Sequence, residues 1–138
     1  MDDVESVVEA RKAAEAIRAL NHATIQDDGY VWPSDVNAVV AELHLTVARM
    51  SQALGQARRW LARARAAGTV GHDQGGDINA VGVEVSHQFD TAASMAGRLA
   101  SELDALHELT AHLTGVTTPG HDSVHADIGQ LPIAGLGL

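Results

Sequence analysis

The amino-acid sequence predicts an all-α fold: an antiparallel up-and-down three-helix bundle over residues 1–114, followed by an irregular tail over residues 115–138. Three observations lead there. Alanine occurs 24 times in 138 residues while phenylalanine and tyrosine occur once each, a composition that suits closely packed helices better than a sandwich or barrel, whose strands draw on β-branched and aromatic residues. Apolar residues recur at alternating spacings of three and four along two long stretches, the stripe of a helix packed lengthwise on others. Glycine and proline punctuate the segments and recur through the last stretch, from Gly115 to Gly137. A chain of this length buries roughly two-thirds of its unfolded surface, enough for one domain.

The first segment, residues 2–24, carries Val4, Val7, Ala10, Ala14, Ile17 and Leu20 on one face. Its seam is small, and it is the weaker third member of the bundle. Asp27-Asp28-Gly29 then turns the chain into Tyr30-Val31-Trp32, a local aromatic cluster expected to close one end of the bundle. The middle segment, residues 35–67, has the clearest period: Val36, Val40, Leu43, Val47, Met50, Leu54, Ala57, Leu61 and Ala64. Ser34 is its expected N-cap, with Asp35 suiting the positive helix end and Gly68 supplying the stop. Such a helix is about 50 Å long.

Between residues 68 and 77 lie four glycines with His72, Asp73 and Asp77. Asp73, Asp77 and Glu84 are expected to match the charges of Arg58, Arg59, Arg63 and Arg65 at the end of the middle helix. The third stripe runs through Val85, Phe89, Ala92, Ala96, Leu99, Leu103, Leu106, Thr110 and Leu113 and stops at Gly115. Asp77 is its best N-cap, although Ile78, Val81, Val83 and Val85 around Gly82 fit a short extended stretch as well. Both long seams hold more Ala, Val and Leu than a three-helix monomer needs, so a homodimer is expected.

Net charge is −9, and it is unevenly placed. Residues 1–67 hold nine acidic and eight basic side chains, whereas residues 68–138 hold nine acidic side chains and only Arg98. A surface of that sign repels phosphate backbones, which disfavours sequence-independent nucleic-acid binding, so no nucleic-acid partner is expected, and it favours basic protein partners or cations. The absence of cysteine excludes disulfides, thiolate catalysis and Cys-ligated zinc. No apolar run reaches the ~18 residues of a membrane span, and none follows the acidic Met1-Asp2-Asp3 start, so no membrane contact and a cytoplasmic location are expected. Eight arginines to one lysine, with the alanine excess, suggest the coding bias of a GC-rich genome such as an actinobacterium's.

Eight histidines raise the question of metal binding. His107-Glu108-Leu109-Thr110-Ala111-His112 misses the zinc-protease pattern, because its histidines stand five apart instead of four. His121 and His125 do stand four apart and share a face if helical; His44 is the available third ligand. That set resembles the DinB-like four-helix metalloproteins, which pair a lone histidine with an H-x-x-x-H motif, and the resemblance implies a divalent ion, zinc or iron. It covers three residues and competes with a solvated histidine pair. Glu84-Val85-Ser86-His87 is similar to the E-x-x-H element of ferritin-like di-iron bundles, with Glu42 as a further carboxylate. Val85 on the seam turns His87 outward, so iron would need a dimer covering that face. Gly71-His72-Asp73 and Gly120-His121-Asp122 carry the His-Asp doublet of HD phosphohydrolases, but in loops and not on core helices. Trp32-Pro33-Ser34 and Trp60-Leu61-Ala62 lack the W-x-G turn of WXG-type hairpins. No serine-nucleophile, phosphate-loop or dinucleotide pattern is present.

In the tail, Leu131, Ile133, Leu136 and Leu138 sit on a backbone that cannot be helical, behind a polar spacer. An extended segment of this kind offers side chains to apolar pockets. Its L-x-I-small-small-L outline resembles the C-terminal loading peptides of encapsulin cargo, departing at Pro132 and at Ala134-Gly135; folding back over its own bundle is the competing account. The expected function is therefore a small acidic interaction or accessory protein without catalytic activity or cofactor. It would engage a protein with a basic or apolar-pocket surface through its third helix and the 131–138 segment. The alternative is a metal-dependent helical bundle holding zinc or iron at His44, His121 and His125.

Overall fold

The computed structural model describes residues 2–116. They divide into two compact units, one formed by the chain up to Val36 together with residues 114–116, the other by Asn37–Leu113. Three helices make up the regular structure: α1 (Glu5–Ala23), α2 (Pro33–Ala66) and α3 (Ile78–Thr110), and there is no strand among the described residues. The extended alternative for residues 78–85 is thus replaced by helix from Ile78 onward. The cause is the cap: Asp77 accepts the Asn79 N–H at 3.0 Å, satisfying a donor that otherwise has no helical partner.

In the first unit α1 starts without a side-chain cap and buries none of its residues. Val4 is 65% and Val7 44% exposed, consistent with its thin apolar face. The helix ends where the Thr24 hydroxyl bonds back to the Leu20 carbonyl at 2.9 Å. A single 3-10 turn, Asp27–Gly29, follows. Gly29 is required there, because a Cβ would stand 2.6 Å from the Ala23 carbonyl oxygen.

The start of α2 departs from the sequence reading in one detail. Ser34 does not cap it. Pro33 takes the first helical position, where its missing N–H is harmless, and the Asp35 carboxylate reaches back to accept the Val31 and Trp32 N–H groups at 2.9 and 2.8 Å. Those two bonds favour the charged carboxylate and hold the Asp35 pKa below the usual carboxylate value. The Trp32 ring lies against Gly115, where any Cβ would collide with it.

In the second unit α2 and α3 pack together as an antiparallel hairpin. The stop of α2 is the one expected: Gly68 has φ +75°, Gly68 N–H bonds to Arg65 O, and Thr69 N–H bonds to Ala64 O, both at 3.0 Å. A ladder of polar contacts then fixes the register. His44 Nδ1 donates to Ala100 O at 2.7 Å, Ser51 Oγ to Ala93 O at 3.5 Å, Arg58 Nε to Ser86 O at 3.4 Å, and Arg65 Nη1 to Asn79 O at 3.5 Å. Each rung lies seven residues beyond the last on α2 and seven before it on α3. One heptad before His44, Asn37 Oδ1 accepts the buried Thr110 hydroxyl at 2.6 Å. Only the Asn37–Thr110 and His44–Ala100 contacts, at one end of this series, are short. The other three rungs sit at the long limit of hydrogen-bond range and record alignment more than strength.

Candidate functional site

The hairpin has two unlike sides, and helix geometry assigns them. On a right-handed helix a residue four positions on lies about 40° to one side of a seam residue, and one three positions on lies about 60° to the other. Antiparallel pairing reverses both the direction of travel and the sense of rotation, so like flanks of α2 and α3 fall on one side of the hairpin. Val40, Val47, Leu54 and Leu61 of α2, with Phe89, Ala96, Leu103 and Thr110 of α3, form the middle strip; all are buried or half-buried. The ladder side carries His44, Ser51, Arg58 and Arg65 against Ala100, Ala93, Ser86 and Asn79.

Leu43, Met50 and Ala57 occupy the opposite flank of α2, and Val85, Ala92, Leu99 and Leu106 the same flank of α3. This flank is the other half of the two apolar stripes read from sequence, and much of it is open. Met50 is 50%, Leu99 49%, Leu106 42% and Val85 37% exposed. The expectation that these residues sit inside a seam is corrected here. Two helices cover one narrow strip of each other, and the small side chains Ala93 and Ala100 let α2 approach on the ladder side.

Outside both strips α3 is acidic: Glu84, Glu102, Asp104 and Glu108 are exposed, against Arg98. Asp90 also lies at the surface, but it is engaged by Arg58 at 2.9 Å. The charge match expected between the 68–77 loop and the α2 arginines takes a different form. Among the described residues no ion pair joins Asp73, Asp77 or Glu84 to Arg59, Arg63 or Arg65; Asp77 caps α3 and Arg58 pairs with Asp90 instead.

The proposed ligand residues are placed as follows. His44 is half-buried, and since a carbonyl only accepts, its Nδ1 carries the proton toward Ala100 O and leaves the Nε2 lone pair available when the ring is neutral. Glu42, Glu84 and His87 are exposed. Among the described residues no group of three His, Cys, Asp or Glu side chains is placed to hold a metal ion. His121 and His125, and the tail residues Leu131, Ile133, Leu136 and Leu138, lie outside the described residues.

Sequence reasoning treated the arginines of α2 as a charge cluster and missed the ladder. Its signal was nevertheless present: Asn37, His44, Ser51, Arg58 and Arg65 recur every seven positions, each four beyond or three before a seam residue. No helix among the described residues is long and apolar enough to cross a membrane. In comparisons with known proteins, no family model, no curated protein and no solved structure matches this chain.

Proposed function

We propose that this chain is a non-catalytic helical interaction protein that works by presenting surfaces to other helices and to a protein partner. The observation that carries the reading is the open apolar flank of the α2–α3 hairpin, with Met50, Leu99 and Leu106 each more than 40% exposed. Isolated exposed leucines are ordinary, but a heptad row along two adjacent helices is the form taken by a helix–helix contact surface. In this reading a second copy of the hairpin covers the flank, giving a homodimer, and α1 completes an up-and-down three-helix arrangement in each protomer. The acidic outer face of α3 complements a basic partner surface, and residues 131–138 supply an extended apolar segment for a partner's pocket.

The test is deletion of residues 129–138 from the full chain, followed by partner capture from the native host and circular dichroism. Capture should be lost while helicity and melting temperature stay nearly unchanged. Unfolding on truncation would instead make the segment part of the fold, and undiminished capture would remove it from the interface.

A further inference from the structure

At the loop end of the hairpin, where the chain after α2 returns to α3, a cleft of about 210 Å³ lies between the two helices. Its walls are apolar, with Leu61 on α2, Val70 on the loop, and Val81, Val85 and Phe89 on α3. Phe89 is the one phenylalanine in the chain. The Arg65 guanidinium lies over Gly82 so closely that any Cβ at that position would collide with it. A glycine at this point of α3 weakens the helix relative to alanine, and here it makes room for the guanidinium at the edge of the cleft.

Arg65 and Arg58 differ in their partners. Arg58 is held by both oxygens of Asp90, at 2.9 and 3.3 Å. Among the described residues Arg65 has no carboxylate in reach, and its contact with the Asn79 carbonyl is long at 3.5 Å. Asp77, two residues before Asn79, is engaged at the helix cap, and Glu84, two residues after Gly82, is exposed and forms no ion pair with Arg65. A planar, permanently charged donor fork thus stands at the edge of an apolar cavity with its donor capacity nearly unmet by protein groups among the described residues.

We propose that this cleft binds a small amphipathic carboxylate, with its hydrocarbon part between Leu61, Val81 and Phe89 and its carboxylate paired with Arg65. The chemistry excludes the neighbouring choices. A bare inorganic anion would leave the apolar walls wet, and a neutral hydrocarbon would leave the guanidinium without an acceptor. The cavity is smaller than the ~300–1,000 Å³ of drug-sized sites, which limits the ligand to a medium-chain alkyl or a single-ring aryl acid. This site shares Val85 with the apolar flank but is otherwise built from other residues, and it does not depend on the interaction reading.

The experiment uses the full chain with octanoate as the probe and 1-octanol as its uncharged match, followed by amide chemical shifts and calorimetry. Octanoate should saturate, shift amides in residues 61–72 and 78–89, and bind about tenfold more tightly than 1-octanol, the ratio expected of one charge-assisted pair. Arg65→Gln should abolish that ratio and leave 1-octanol binding unchanged. Gly82→Ala, which keeps the charge but displaces the guanidinium, should reduce the ratio in the same direction with helicity retained. Equal affinity for the two probes, absence of saturation, or shifts spread along Met50, Leu99 and Leu106 would each overturn the proposal.

Discussion

Single residues in this chain carry unequal weight, and the geometry ranks them. His44 makes the one short side-chain bond across the hairpin that joins a ring nitrogen to a backbone carbonyl, 2.7 Å and half-buried. Its loss through His44→Ala should lower unfolding free energy by about 1 kcal/mol, the net value of such a bond plus the packing of the ring. Asp90→Ala breaks an ion pair whose side chains are 37% and 60% exposed, so solvent screening should hold its cost below about 1 kcal/mol. Urea denaturation of both variants checks the order, and a larger loss for Asp90→Ala would contradict it. Asp35 makes a prediction about acid. Its folded pKa is lowered by the Trp32 and Val31 N–H groups, so it contributes stability above the ordinary carboxylate range and loses that contribution as pH falls through the depressed folded value. Melting curves between neutral pH and pH 3 should therefore steepen in the wild type relative to Asp35→Asn, whose side chain does not titrate.

At the scale of elements, the helix ends are local devices and the helix pairing is not. Asp77 and Gly68 act where the sequence places them, because a cap needs only its own few residues. Gly68→Ala must place a Cβ in the left-handed region at φ +75° and should cost about 1–2 kcal/mol, read as a fall in the urea midpoint at unchanged slope. Ser34 shows where local reading fails even at a cap. A serine beside Pro-Asp is a good capping candidate by type, but the proline claims the first helical turn and hands the task to Asp35. The pairing of α2 with α3 was legible as two stripes with a common period. Which flank of each stripe meets the partner was not, because periodicity gives the angular position of residues on one helix and says nothing of the azimuth at which a second helix arrives.

For the whole molecule the question is what covers the remaining flank. If a second copy does, static light scattering of the full chain should return twice the 14.4 kDa chain mass. The double variant Leu99→Lys, Leu106→Lys should return the single mass with helicity intact, since both positions are already solvent-accessible. A single mass for the unmodified chain at micromolar concentration would remove the dimer from the proposal. The acidic surface of α3 adds an ionic-strength test to any captured partner, whose association should slow as salt screens the complementary charge.

The sequence by itself determined that the described chain is helical, where α1 and α2 lie to within a few residues, and that α2 and α3 carry matching apolar stripes, while leaving residues 78–85 open between helix and extended chain. Those properties come from residues near one another in the chain: caps, a left-handed glycine and a repeating three-four spacing. Only the tertiary structure decided that the hairpin closes on its polar-laddered flank, leaving Met50, Val85, Leu99 and Leu106 open and setting Arg65 against Gly82. Contacts such as His44 with Ala100 and Arg65 with Asn79 depend on the register between two helices, which close packing of small side chains selects and no single helix encodes.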